Sequence, residues 1–190
     1  MEAYGGAITG IVGVYRVPMG TGLGSKLFMG SFGYCVGDVN YNGPLNPPLH
    51  PRRLLDGVIE GVKDGGNKSG VPTTFGQTLF NPGYMGKSLV FVTALGIMPS
   101  KVKGKPSHEK KTSPGELIIM SGGRVGKDGI HGVTASSESY SENTPAGHVQ
   151  IGDPYTQKKM HDFLLICRDE GLIPFITDNG GGGLSSSIGE

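Results

Sequence analysis

Leu172-Ile-Pro-Phe-Ile-Thr-Asp-Asn-Gly-Gly-Gly-Gly-Leu184 is an apolar run that ends on an acid and then on consecutive glycines. The pattern predicts a strand over 172–177, a turn opened by Asp178, and a helix starting at Leu184 and running on to Glu190. A carboxylate at the end of a strand beside a glycine-rich turn can hold Mg²⁺ by one or two oxygens, while bare backbone N–H groups face an anion. The alternative is that the same carboxylate only caps the helix that follows. Upstream, residues 155–170 carry Met160, Phe163, Leu164 and Cys167 at helical spacing, with Gly171 as the stop. Asp153, in Gln150-Ile-Gly-Asp-Pro154, stands where an N-cap of that helix belongs. Glu116-Leu-Ile-Ile-Met120 reads as a short buried strand running into Ser121-Gly-Gly-Arg-Val-Gly-Lys-Asp-Gly129.

The first half of the chain has the same alternation of helix and strand. Ile8, Ile11, Val12 and Tyr15 share one helical face over 7–15, with Gly10 and Gly13 making another side thin enough to lie close on a sheet, and Pro18 ends the run. Ser25–Val36 reads as a strand, 37–51 as a loop, and Arg52–Lys63 as an amphipathic helix ended by Gly65-Gly66. Phe75–Phe80 and Lys87–Met98 complete the strands, and the unbroken apolar run Leu89–Leu95 predicts burial on both faces. The Lys- and Pro-rich stretch 99–114 reads as a solvated linker and the domain boundary.

Composition narrows the function classes. Seventeen Lys and Arg against sixteen Asp and Glu give no electrostatic footprint for nucleic acid or an anionic membrane. Glycine supplies 35 of 190 residues without a three-residue repeat, which fits a folded chain rich in tight turns and leans towards backbone binding of phosphates. Cys35 and Cys167 form neither a zinc spacing nor a disulfide framework. With no signal-like N-terminus and no membrane-length apolar run, a soluble, cytoplasmic protein is expected. Gly20-Thr-Gly-Leu-Gly-Ser25 lacks the last glycine of a dinucleotide loop, and in Gly122-Gly-Arg-Val-Gly-Lys-Asp128 a Walker A loop would need Ser or Thr where Asp128 stands. The histidines His50, His108, His131, His148 and His161 are scattered and read as structural or exposed.

Gly122-Gly-Arg-Val-Gly-Lys-Asp-Gly-Ile-His-Gly-Val-Thr134 resembles the GGxTGRDGIHGAT signature of the phosphoribosylformylglycinamidine synthase family. Gln150-Ile-Gly-Asp-Pro154 resembles its QVGDP, and Thr177-Asp-Asn-Gly-Gly-Gly-Gly-Leu-Ser-Ser186 its QDxGAGGL-S. Tyr4-Gly-Gly-Ala-Ile-Thr-Gly-Ile-Val-Gly13 is similar to EPYxGAATGVGG, and Leu54–Pro72 to the family's helix and GNxIGVPT loop. The matches run in family order over nearly the whole chain. They imply an α+β fold, a partial aminoimidazole ribonucleotide synthetase-like architecture. Residues 1–104 would be the C-terminal part of a barrel-forming N-terminal half, and 105–190 the N-terminal part of the C-terminal half.

The resemblance also implies a reaction. ATP, with Mg²⁺, phosphorylates the amide oxygen of formylglycinamide ribonucleotide, and ammonia from a glutaminase subunit or domain displaces the phosphate to give the amidine. Matched by position, Arg16 and Gln150 would contact substrate, Arg16 through its phosphate, and Asp178 would be a magnesium ligand. Val17 stands where the family has a metal-binding aspartate. The family's histidine-rich segment, which carries its catalytic histidine, would precede Met1, so no catalytic residue is assigned here. The chain is expected to be a fragment, inactive without the remainder of the synthetase. Two alternatives are a non-catalytic binding or assembly protein that keeps part of the scaffold, and a kinase-like relative of the same superfamily.

Overall fold

The computed structural model describes residues 3–46, 48–124 and 152–190. Helix α1 (Ala3–Met19) leads through a tight loop into strand β1 (Lys26–Val36), followed by α2 (Pro51–Ser69), β2 (Thr73–Phe80) and β3 (Leu89–Ile97). A hairpin of β4 (Lys101–Val102) and β5 (Lys105–Pro106) precedes helices α3 (Pro154–Asp169) and α4 (Gly183–Gly189). The element order gives the mixed helix and strand architecture expected of the α+β class.

β1 is the centre of a three-stranded sheet, parallel to β2 and antiparallel to β3. One face carries Phe32, Tyr34, Val90, Val92 and Ala94 against α1, and the core is completed by Ile8, Ile11, Val12 and Tyr15 of α1 with Val58 and Val62 of α2. Tyr15 is fully buried, and burial pushes its hydroxyl up to about 12, so it stays neutral throughout the physiological range.

Glycines do set a close helix contact, but on α2 and not on α1. A Cβ at Gly10 would meet nothing, and one at Gly13 would meet only the Arg16 guanidinium of the same helix. Gly57, Gly61 and Gly65, four residues apart on α2, form a groove in which Ala3, Tyr4, Ala7 and Ile11 of α1 lie. This explains why α2 does not end at Gly65-Gly66. Those residues belong to the helix crossing, and the helix continues to Ser69, where Gly70 in the left-handed region (φ 63°) ends it. At the other end, His50 Nδ1 accepts the Arg52 N–H, and Pro51 occupies the first turn.

Three further expectations are corrected. The run Leu89–Leu95 is not buried on both faces. Leu89, Phe91 and Leu95 pair with Cys35, Gly33 and Met29, and with Phe75 and Leu79 of β2 they leave the second sheet face exposed. The basic stretch 99–114 is not an extended linker. Lys103 and Gly104 both take positive φ (49° and 83°), the geometry that closes a two-residue hairpin, and Val102 and Ser107 are buried. Glu116–Met120 forms no strand, and Leu117 is 86% exposed, because no neighbouring strand pairs with it among the described residues.

Replacing Gly61 by Val places side-chain carbon against the Tyr4 carbonyl and Ala7. The expected cost is about 1–3 kcal/mol, as for other overpacked cores, read as a lower urea midpoint with an unchanged slope.

Candidate functional site

The last turn of α1 and the loop after it are unusually closed for a connecting segment. The Arg16 carbonyl accepts the Gly20 N–H at 2.8 Å, the Pro18 carbonyl accepts Thr21 and Ser25 N–H at 3.2 Å each, and Thr21 accepts Gly24 N–H at 2.8 Å. Gly22, Leu23, Gly24 and Ser25 are buried. Arg16 is half-buried on this turn, and its Nε is buried without a hydrogen-bond partner. A guanidinium so placed retains donor capacity suited to an oxyanion. Val17 beside it is 59% exposed and offers no ligand atom.

Asp178 comes to the same end of α1. Residues 172–177 form no strand, but the Ile176 N–H donates to the Gly22 carbonyl at 2.8 Å. The next turn of chain lies so close that a Cβ on Gly20 would sit 2.7 Å from the Asp178 backbone nitrogen. Asp178 does not cap α4, whose N-cap is Gly182 with no side-chain hydrogen bond. No ion pair joins Asp178 to Arg16. The structure therefore brings the Asp178 backbone to the loop that follows the Arg16 turn, while the Arg16 guanidinium lies back along α1 beside Gly13. Gln150 lies outside the described residues, as does most of the motif 122–134.

The donor set fits magnesium only in part. No group of three His, Cys, Asp or Glu residues arranged to hold a metal occurs among the described residues. Asp178 offers one carboxylate and Val17 none. Mg²⁺ is commonly held by one or two carboxylates together with substrate phosphates, so Asp178 can supply one protein ligand without forming a cage.

Helix α3 departs most from its expected packing. Asp153 does cap it, Oδ1 accepting Tyr155 and Thr156 N–H at 3.0 and 3.1 Å, and these bonds with the Thr156 hydroxyl hold the Asp153 carboxyl below its usual range. Its buried face, however, is polar: Gln157, His161 and Arg168 point inwards, while Phe163 is 62% exposed. Gln157 Nε2 donates to the Val12 carbonyl at 3.0 Å, His161 Nε2 to Ser25 at 2.8 Å, and Arg168 Nη1 to Gly24 at 2.7 Å. Burial lowers the His161 pKa from 6.5, opposed by the bond to Ser25 and by Asp162, so the ring is neutral with its proton on Nε2. Apolar periodicity hid these residues. Their own spacing, with His161 four residues after Gln157 and Arg168 seven further on, was the available signal.

Residues 1–98 match the family described as AIR synthase related protein, N-terminal domain, and residues 113–190 match AIR synthase related protein, C-terminal domain. The phosphoribosylformylglycinamidine synthase subunit PurL of Pyrococcus abyssi is 38% identical over 196 residues, covering 100% of this chain and 26% of the relative. The chain thus spans about a quarter of the length of the curated relatives it matches. Among solved structures, T. maritima PurL complexed with FGAR has a TM-score of 0.69 at 27% identity, covering 98% of this chain and 28% of that one. T. maritima PurL complexed with ATP has a TM-score of 0.64 at 26% identity, covering 98% and 26%.

Gly20→Ala puts a methyl group against the Asp178 backbone. The expected result is loss of amide protection at Ile176 in hydrogen exchange, with a stability cost of about 1–3 kcal/mol.

Proposed function

The chain belongs to the AIR synthase related protein family, and from that premise we propose that it forms part of the synthetase site of a phosphoribosylformylglycinamidine synthase. The observation that carries this reading is the half-buried Arg16, its Nε unpartnered, at the end of α1 that also meets the Asp178 segment. A cation and a carboxylate that do not pair with each other suit a ligand that carries oxyanions and a metal. The solved relatives complexed with FGAR and with ATP support both substrates for the complete protein.

In the reaction we assign to that complete protein, ATP activates the amide of formylglycinamide ribonucleotide, because an amide oxygen leaves poorly until it is phosphorylated. Arg16 binds the substrate phosphate through its guanidinium, with Gln150 as a second substrate contact. Asp178 would supply one carboxylate ligand to a magnesium ion, which would offset phosphate charge when bound. The remainder of the synthetase supplies the catalytic groups, and a glutaminase subunit or domain supplies ammonia. The exposed sheet face of Phe75, Leu79, Leu89, Phe91 and Leu95 is the surface on which another part of that assembly rests. No described helix is long and apolar enough to cross a membrane; we assign the protein to the cytoplasm, where the substrates of this reaction are found.

Val17 favours a second reading, in which the scaffold binds substrate or partner subunits without catalysis. Calorimetry separates the two. Arg16→Met is expected to weaken formylglycinamide ribonucleotide binding about 10- to 100-fold, the range for a lost charge-assisted hydrogen bond, with Mg–ATP binding retained. Asp178→Asn should weaken Mg–ATP instead. Unchanged substrate affinity in Arg16→Met overturns the role given to that residue. Substrate binding without any magnesium-dependent nucleotide binding supports the scaffold reading. The unaltered chain alone is expected to release no ADP when given substrate and glutamine.

A further inference from the structure

We propose that Gln157, His161 and Arg168 are positioning residues, a polar clasp by which α3 fixes the loop 20–25 and through it the placement of Asp178 beside the Arg16 turn. Their three donors take the carbonyls of Val12, Ser25 and Gly24. Val12 lies one turn before Arg16, and the same residue packs against Gly152, where a Cβ would come 3.0 Å from Val12 Cγ1. Gly24 and Ser25 belong to the loop whose Gly22 carbonyl holds Ile176, two residues before Asp178. Leu23 of that loop donates in turn to the Ser107 carbonyl of the hairpin at 2.9 Å. Every bond of the clasp ends on backbone, so it orients the site without touching a ligand.

The role of this clasp in substrate binding rests on the function proposed above; its mechanical role does not. His161 makes it sensitive to pH. The groups facing the ring are Lys158, Asp162 and Arg168 on α3 and Lys26 on β1, which lines the same cleft. The folded state prefers the neutral ring, so the unfolded chain binds the extra proton first as the pH falls. The stabilisation contributed by His161 is complete above about 6.5, its ordinary value, and declines below it.

Hydrogen exchange on the whole chain tests the clasp, with the amides of Leu23 and Ile176 as reporters. His161→Leu and Arg168→Met are expected to raise exchange at both amides about tenfold after correction for intrinsic rates, leaving β1–β3 unchanged. In the unaltered chain the same amides should lose protection between pH 7 and 5.5. His161→Gln keeps an N–H donor but cannot titrate, so it should restore protection and flatten the pH profile. Increases confined to α3, or equal increases throughout the sheet, overturn the proposal, as does a pH profile unchanged in His161→Gln. Titration with formylglycinamide ribonucleotide separates the two claims. If the unaltered chain binds and the variants bind equally despite raised exchange, the clasp does not position the site. If the unaltered chain does not bind, the substrate role of Arg16 fails, and exchange alone decides the clasp.

Discussion

The structure depends on a buried loop whose carbonyls need donors. Residues 22–25 run through the interior, where backbone polar groups must be paired. Few of the loop's own amides are placed to do this, so donors arrive from elsewhere: Ile176 for Gly22, Arg168 for Gly24, and His161 for Ser25. Leaving a buried carbonyl unpaired costs about 1–3 kcal/mol. Three such losses approach the whole net stability of an ordinary domain, about 5–15 kcal/mol. The same requirement explains the polar inner face of α3. A helix packed on carbonyls by apolar side chains alone would leave them unsatisfied.

This arrangement joins sequence-distant pieces into one locality. Arg16 is placed by helical geometry and by the α1–α2 groove, in which Gly61 and Gly65 allow close approach. Asp178 is placed by backbone bonding to Gly22, not by a strand of its own. Both residues take their placement from 16–24, with the Arg16 guanidinium lying back along α1 beside Gly13. Their lack of mutual pairing leaves both sets of polar atoms open to other partners.

Much of this was legible in the sequence, for particular reasons. The helices and the three main strands follow from apolar periodicity, and the Asp153 cap from its place before Pro154. The family resemblance rested on glycine-rich motifs whose order composition could not mimic. Tertiary context decides the rest. Leu89–Leu95 looks like a strand buried on both faces, because a sequence does not say which neighbour is present. Lys103-Gly104 looks like solvated punctuation until both residues are seen at positive φ. The shared inward face of Gln157, His161 and Arg168 does not show in apolar periodicity, because their partners are backbone carbonyls.

The open sheet face has a thermodynamic consequence. Phe75, Leu79, Leu89, Phe91 and Leu95 present contiguous apolar surface on paired strands, while the opposite face already carries the core. Any partner that covers this surface binds the folded chain in preference to the unfolded one, and so shifts the folding equilibrium by mass action. A melting temperature for such a chain is then a property of its concentration and its company as much as of its sequence.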